Sequence, residues 1–285
     1  KLSAQKVSDD KYFKSYKVNT DLISDELETL TNTLSFTRED EDFLFDLNAT
    51  IWETIKNSDT YNDKYEYILP DIIVKKNLFS NTKFGSADYQ TNLNIQNFDT
   101  NKYANFFVND INWNSKEFVF EKGINSKLIG KLRNINYEAR NISDYKTSST
   151  NELYGAIGYL TKLDLIKKQG NVKQYLTPKI LLRYAPDHMR RQEEDDGSRI
   201  NHLNIFNIDR IDSYNSFEGG LNSTLGFDYT MNNNNKEFNL SVGQIINQKE
   251  NKNMPSSSSL DEKLSDFIGY SNLKINDNIN INYNF

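Results

Sequence analysis

Apolar and polar residues alternate with a period of two along most of the chain, in runs bounded by clusters of Asn, Asp, Gly, Ser or Lys. Each run predicts a β-strand. From Phe217 to Tyr229 the odd positions read Phe217, Gly219, Leu221, Ser223, Leu225, Phe227 and Tyr229, with Glu218, Gly220, Asn222, Thr224, Gly226 and Asp228 between them. Ile279, Ile281, Tyr283 and Phe285 alternate with asparagines, and Phe43, Phe45, Leu47, Ala49 and Ile51 with Asp46, Asn48 and Thr50. Tyr103, Phe107, Ile111 and Trp113 share one parity, as do Phe238, Leu240, Val242 and Ile246. Short polar turns at Arg38–Asp42, Met231–Lys236 and Asn276–Asn278 fit hairpins, so neighbouring strands are expected to be antiparallel. The pattern divides into about 14 strands of about 9 to 13 residues, the length that crosses a bilayer at a tilt. Pro186 and Pro255 fall in predicted loops, as proline's missing donor requires. Asp21–Leu30 and Leu260–Phe267 carry some helical spacing, and both are read as loops feeding strands.

Alternation alone leaves the solvent of the apolar face open, because a soluble sheet with one wet face needs the same pattern. Strand length and the Asn-rich second face favour a membrane barrel. Apolar runs are only a few residues long, short of the roughly 20 that a membrane helix needs, so any membrane must be crossed by strands. The expected fold is therefore all-β: an antiparallel up-and-down transmembrane β-barrel, present as part of a larger barrel. No composition shift marks an internal boundary, so residues 1–285 are read as a single unit.

Charge and candidate chemistry narrow the function by exclusion. A formal charge of −6 supplies no basic face for nucleic acid. Cysteine is absent, so there is no disulfide framework or thiolate metal site. The sequence opening at Lys1 lacks a signal-peptide pattern, and the chain is expected to be a fragment or mature segment. His188 and His202 belong to no catalytic or metal motif and read as solvated loop residues. The run Glu193, Glu194, Asp195, Asp196, Gly197 fails as a calcium loop, because aligning Gly197 with the loop glycine puts Gln192 and Leu203 at the ligand ends. Loose, charge-driven collection of cations is what remains for it. Ser256–Ser259 has no base to activate it, and Gly155 and Gly158 ease packing or a bend rather than cradle phosphate. No cofactor and no catalysis are expected.

Several short tags resemble the barrel domain of the LptD family, which assembles lipopolysaccharide at the outer membrane. Lys6-Val7-Ser8-Asp9-Asp10-Lys11-Tyr12-Phe13 is similar to a strand-to-loop junction of that family. Leu176-Thr177-Pro178-Lys179 and Tyr184-Ala185-Pro186 resemble a strand leading into its long acidic loop, followed by Asp209-Arg210-Ile211-Asp212 and Phe217-Glu218-Gly219-Gly220. Phe238-Asn239-Leu240-Ser241-Val242-Gly243-Gln244 resembles a further tag, and Ser259-Leu260 with Leu264-Ser265-Asp266 looks like a variant of α-proteobacterial members. The tags keep the family's order, whereas Asp40–Lys173 matches little beyond the strand pattern. The resemblance implies outer-membrane transport without bond-breaking, with lipopolysaccharide as cargo and outer-membrane lipid around the wall. It implies as partners a plug lipoprotein, LptE, and a periplasmic bridge that docks through an N-terminal jelly-roll. That jelly-roll and the first and last barrel strands are expected to be missing here, with Phe285 a truncation inside a strand. Within the expected outer loop Pro186–Ser216, Asp209, Arg210, Asp212 and Tyr214 are candidate contacts to the lumen, together with Glu218 just beyond it. A passive diffusion porin and a soluble β-rich binding protein are the alternatives.

Overall fold

A computed structural model describes residues 1–19, 27–55, 64–99, 101–188, 190, 199–211, 213, 215–233, 236–276 and 278–285. In chain order the elements are β1 (Leu2–Ser3), α1 (Tyr12–Tyr16), β2 (Thr29–Asp40), β3 (Phe43–Thr54), β4 (Tyr65–Asn81), β5 (Gly85–Phe98), β6 (Lys102–Asn114), β7 (Phe118–Val119), β8 (Ile124–Arg140) and β9 (Thr150–Leu163). They continue with β10 (Leu165–Gln169), β11 (Val172–Ala185), β12 (Gly220–Asn233), β13 (Lys236–Asn247), β14 (Ile268–Asn276) and β15 (Ile279–Asn284). All fifteen strands belong to one sheet in which strands pair in chain order, with β7 and β10 as short additions beside β8 and β11. The order is linear from β1 to β15, as a partial up-and-down barrel requires. No described helix is long and apolar enough to cross a membrane.

Several strands outrun the expected length, β4 and β8 reaching 17 residues, because backbone pairing continues beyond the apolar stretch of each strand. The two prolines inside strands are accommodated by the ladder. Pro70 lies where the β3–β4 register slips opposite Ala49, a bulge that needs no donor. Pro178 explains why β9 and β10 are separate: both pair with β11 in the same register, from Lys162↔Lys179 to Leu165↔Leu176. They are one strand nicked at Asp164, where the ladder loses the proline's N–H and the Thr177 hydroxyl instead donates to Asp164 at 2.8 Å. Leu260–Phe267 is loop, tied by a Leu264–Ile246 bridge, whereas residues 20–26 of the possible N-terminal helix lie outside the described residues.

The described residues form two compact units. In the first (residues 1–77, 89–110 and 134–152), Phe13, Leu30 and Ile55 bury a small core with Val7, Val18 and Leu27. Phe106, Tyr137 and the loop residue Tyr145 form an aromatic cluster, Tyr145 lying 5.1 and 5.2 Å from the other two rings. The second unit (residues 78–88, 111–133 and 153–285) holds β11 to β15.

Burial in this second unit is inverted relative to a soluble sheet. In β11, Ile180, Leu182 and Tyr184 are 45%, 52% and 54% exposed, whereas Leu181, Arg183 and Ala185 are at most 1% exposed. Register extends the exposed stripe: Tyr184 faces Leu221 and Ile157, Leu182 faces Tyr159, and Ile180 faces Leu225. On the opposite face of β12, Asn222 and Thr224 are buried. A protein that turns its aliphatic face outward and covers its polar face is built for an apolar solvent. Arginine in place of Leu182 is therefore expected to weaken folding into phospholipid vesicles by about 2–4 kcal/mol. A loss within about 0.5 kcal/mol, ordinary for a water-exposed position, would place this face in water instead.

Candidate functional site

The covered face of the second unit carries the loop between β11 and β12, residues 186–219. Two devices seat it. The first is a set of glycines whose missing side chains leave sockets. A Cβ on Gly158 in β9 would lie 3.0 Å from Ile208 Cδ1, one on Gly226 in β12 3.0 Å from Phe206 Cζ, and one on Gly243 in β13 2.8 Å from Ile205 Cδ1. Three loop side chains thus press against three different strands where glycine leaves the backbone bare. Gly158, expected only to ease packing or a bend, is one of the seats, whereas Gly155 meets nothing closer than 3.5 Å.

The second device is a buried charge cluster. Arg210 is anchored to Glu218 by two hydrogen bonds, Nε–Oε2 at 2.7 Å and Nη2–Oε1, and it also donates to Thr224 Oγ1 at 3.0 Å and Asn222 Oδ1 at 2.8 Å on β12. Asn222 donates back to Glu218 Oε1 at 3.1 Å. From β11, Arg183 donates through Nε to the Ile208 carbonyl at 2.6 Å and through Nη2 to the Glu218 carbonyl. From β8, Arg133 donates to the Ser213 and Ser216 carbonyls at 2.7 and 2.6 Å, and Lys131 reaches Asp209 Oδ2 at 3.0 Å. Phe217 lies between two cations, with Arg133 and Arg183 each 5.9 Å from its ring centre. Arginine suits this position because its fixed fork of donors can hold a carboxylate and backbone carbonyls together.

Burial alone would push the Glu218 carboxyl up, but Arg183 and Arg210 beside it, with hydrogen bonds from Arg210 and Asn222, hold it below its ordinary value of 4.5. It is an anion at every physiological pH.

The structure thus brings together Asp209, Arg210 and Glu218, while Asp212 and Tyr214 lie outside the described residues, as does the acidic run Glu193–Gly197. Phe217–Gly219, which the alternation assigned to a strand, instead end the loop, and Gly220 turns the chain into β12 with φ at +101°. The histidines are not simply solvated: His188 stacks on Tyr154 at 5.1 Å, and His202 on Tyr270 at 4.5 Å. Lys131, Arg133 and Arg183 escaped notice in the sequence, although cations on the otherwise inward parity of strands were a signal. The covered face is also less uniformly polar than alternation implied. Leu181 and Ile245 are buried there, supplying an apolar seat.

The family model for LptD, LPS transport system D, matches residues 1–285. The chain belongs to the LptD family. Its function is lipopolysaccharide transport and insertion into the outer membrane, where it resides, in concert with other components of the Lpt pathway. That selects among the three readings the sequence left open, against the passive porin and the soluble binding protein. No curated protein matches the chain.

Substituting Glu218→Gln leaves Arg183 and Arg210 buried without their carboxylate and is expected to cost about 3–5 kcal/mol. The expected readout is rapid protease cleavage of the loop. Gly243→Val should likewise unseat Ile205 and speed cleavage. Because the Glu218 value is depressed on folding, its contribution is complete above the unfolded value and fades as pH falls through the folded one. Cleavage should stay slow from pH 7 to about 5 and rise only below about 4.5; a rise near neutrality would assign control to another group.

Proposed function

We propose that residues 1–285 form one continuous stretch of the LptD barrel wall and that the loop 186–219 folds inward to close the lumen. Asp209, Arg210 and Glu218 are its fixed contacts, with Asp212 and Tyr214 assigned to the same loop. Lipopolysaccharide arrives along a periplasmic bridge through the jelly-roll of the complete protein. Its sugars move through the polar interior while its acyl chains leave sideways into the outer leaflet. An LptE-like lipoprotein fills the remaining lumen. No bond is made or broken, and the chain is not an enzyme.

The observation that carries this reading is the double anchoring of the loop by glycine sockets and buried ion pairs on the covered face. A surface loop needs neither. Long ordered loops held this way are usually functional. Deleting residues 197–216 from the complete protein is expected to admit large antibiotics that the intact protein excludes. Unchanged permeability at normal expression, with heat-modifiable migration intact, would leave the loop as mere covering.

A further inference from the structure

Beside the docked loop, on the same unit, β8, β9, β11 and β12 border a cavity of about 400 Å³, the size of a small-molecule site. Its charged lining is balanced: Lys127, Lys162 and Lys179 against Glu117, Asp164 and Asp228. Some of these groups are committed. Lys179 is paired with Asp228, and Asp164 accepts from Thr177 at 2.8 Å. Others are only loosely held, Lys162 lying 3.9 Å from Glu117 and Lys127 3.5 Å from Asn114. Such loosely held groups can turn to a ligand at small cost, because exposed ion pairs are weak.

The remaining wall is distinctive. Phe206, delivered by the loop and seated over Gly226, is the aromatic member of the lining, and Lys179 Nζ stands 5.5 Å from its ring centre. Leu160 adds an apolar patch, and Ser126 and Thr177 add hydroxyls. Matched cations and carboxylates do not select an anion, which would need a surplus of positive charge, and a wall this polar does not select an apolar ligand. Donors and acceptors interspersed around an aromatic and an aliphatic surface suit a neutral, polyhydroxylated ligand with an apolar ring face.

We propose that this cavity is a saccharide-binding site, a way-station for uncharged sugar units completed by Phe206 of the docked loop. It rests on the reading of this face as the sugar path and adds the place and chemistry of one contact on it.

The test uses the complete protein with its lipoprotein partner in detergent, titrated calorimetrically with a neutral oligosaccharide, the hexose portion of lipopolysaccharide freed of lipid, phosphate and acidic sugars. Phe206→Ala removes the aromatic wall, and Lys162→Gln and Glu117→Gln alter the loosely held pair without touching the loop's seat. Each is expected to weaken binding about three- to fivefold while heat-modifiable migration stays unchanged. Equal affinity in wild type and the two polar variants, or displacement of the oligosaccharide by millimolar inorganic phosphate, overturns the proposal. Surface labelling of newly delivered lipopolysaccharide separates this from the broader reading. Normal delivery with variant-insensitive oligosaccharide binding defeats the site alone, whereas absent delivery by the wild-type protein defeats the transport reading.

Discussion

A backbone that crosses lipid must satisfy each N–H and C=O within the protein, and the rest of this structure follows from that demand. Strands paired in chain order meet it, and even Pro178 is absorbed, its lost ladder bond offset by the Thr177–Asp164 contact. Once the backbone is committed to the sheet, side chains have two directions left. Ile180, Leu182 and Tyr184 take the lipid side, and whatever recognises polar cargo or holds a loop must share the other with Leu181, Arg183 and Ala185.

Burying Arg183 and Arg210 on that shared face would be costly if they lacked partners, and replacing the whole group by well-packed apolar residues would often be no less stable. The benefit is positional. Arg183 spans the Ile208 and Glu218 carbonyls, which fixes two points of the loop relative to one strand, and Arg210 with Glu218 ties the same segment to Asn222 and Thr224 on the next. The sockets at Gly158, Gly226 and Gly243 then set which loop side chain meets which strand. Directional bonds define orientation and steric seats define register; neither alone would do both.

Strand parity and antiparallel order were legible in the sequence, and so were the tags that carry Asp209, Arg210 and Glu218. Parity is local, a property of neighbours two apart, and the tags were contiguous. The direction of burial was not legible, because alternation is symmetric under exchange of the two solvents; only a covered Asn222 beside an exposed Leu221 breaks the symmetry. The sockets were hidden for another reason. A glycine announces the absence of a side chain but not what fills the space, and Ile205, Phe206 and Ile208 reach strands on both sides of them in sequence. Arg183 likewise gains meaning only with Glu218, 35 residues away.

Phe206 belongs at once to the loop's seat on Gly226 and to the wall of the neighbouring cavity. Any ligand that gains free energy from that ring in the docked position must stabilise the docked loop by the same amount, since coupling between binding equilibria is reciprocal. Release of the loop would conversely remove one wall of the cavity and lower its affinity. On the proposed reading, closure and sugar contact are two readings of one equilibrium. The strength of their coupling is bounded by what a single aromatic contact can contribute, on the order of 1 kcal/mol. That is enough to bias the loop several-fold, and far too little to prise apart the ion cluster that anchors it.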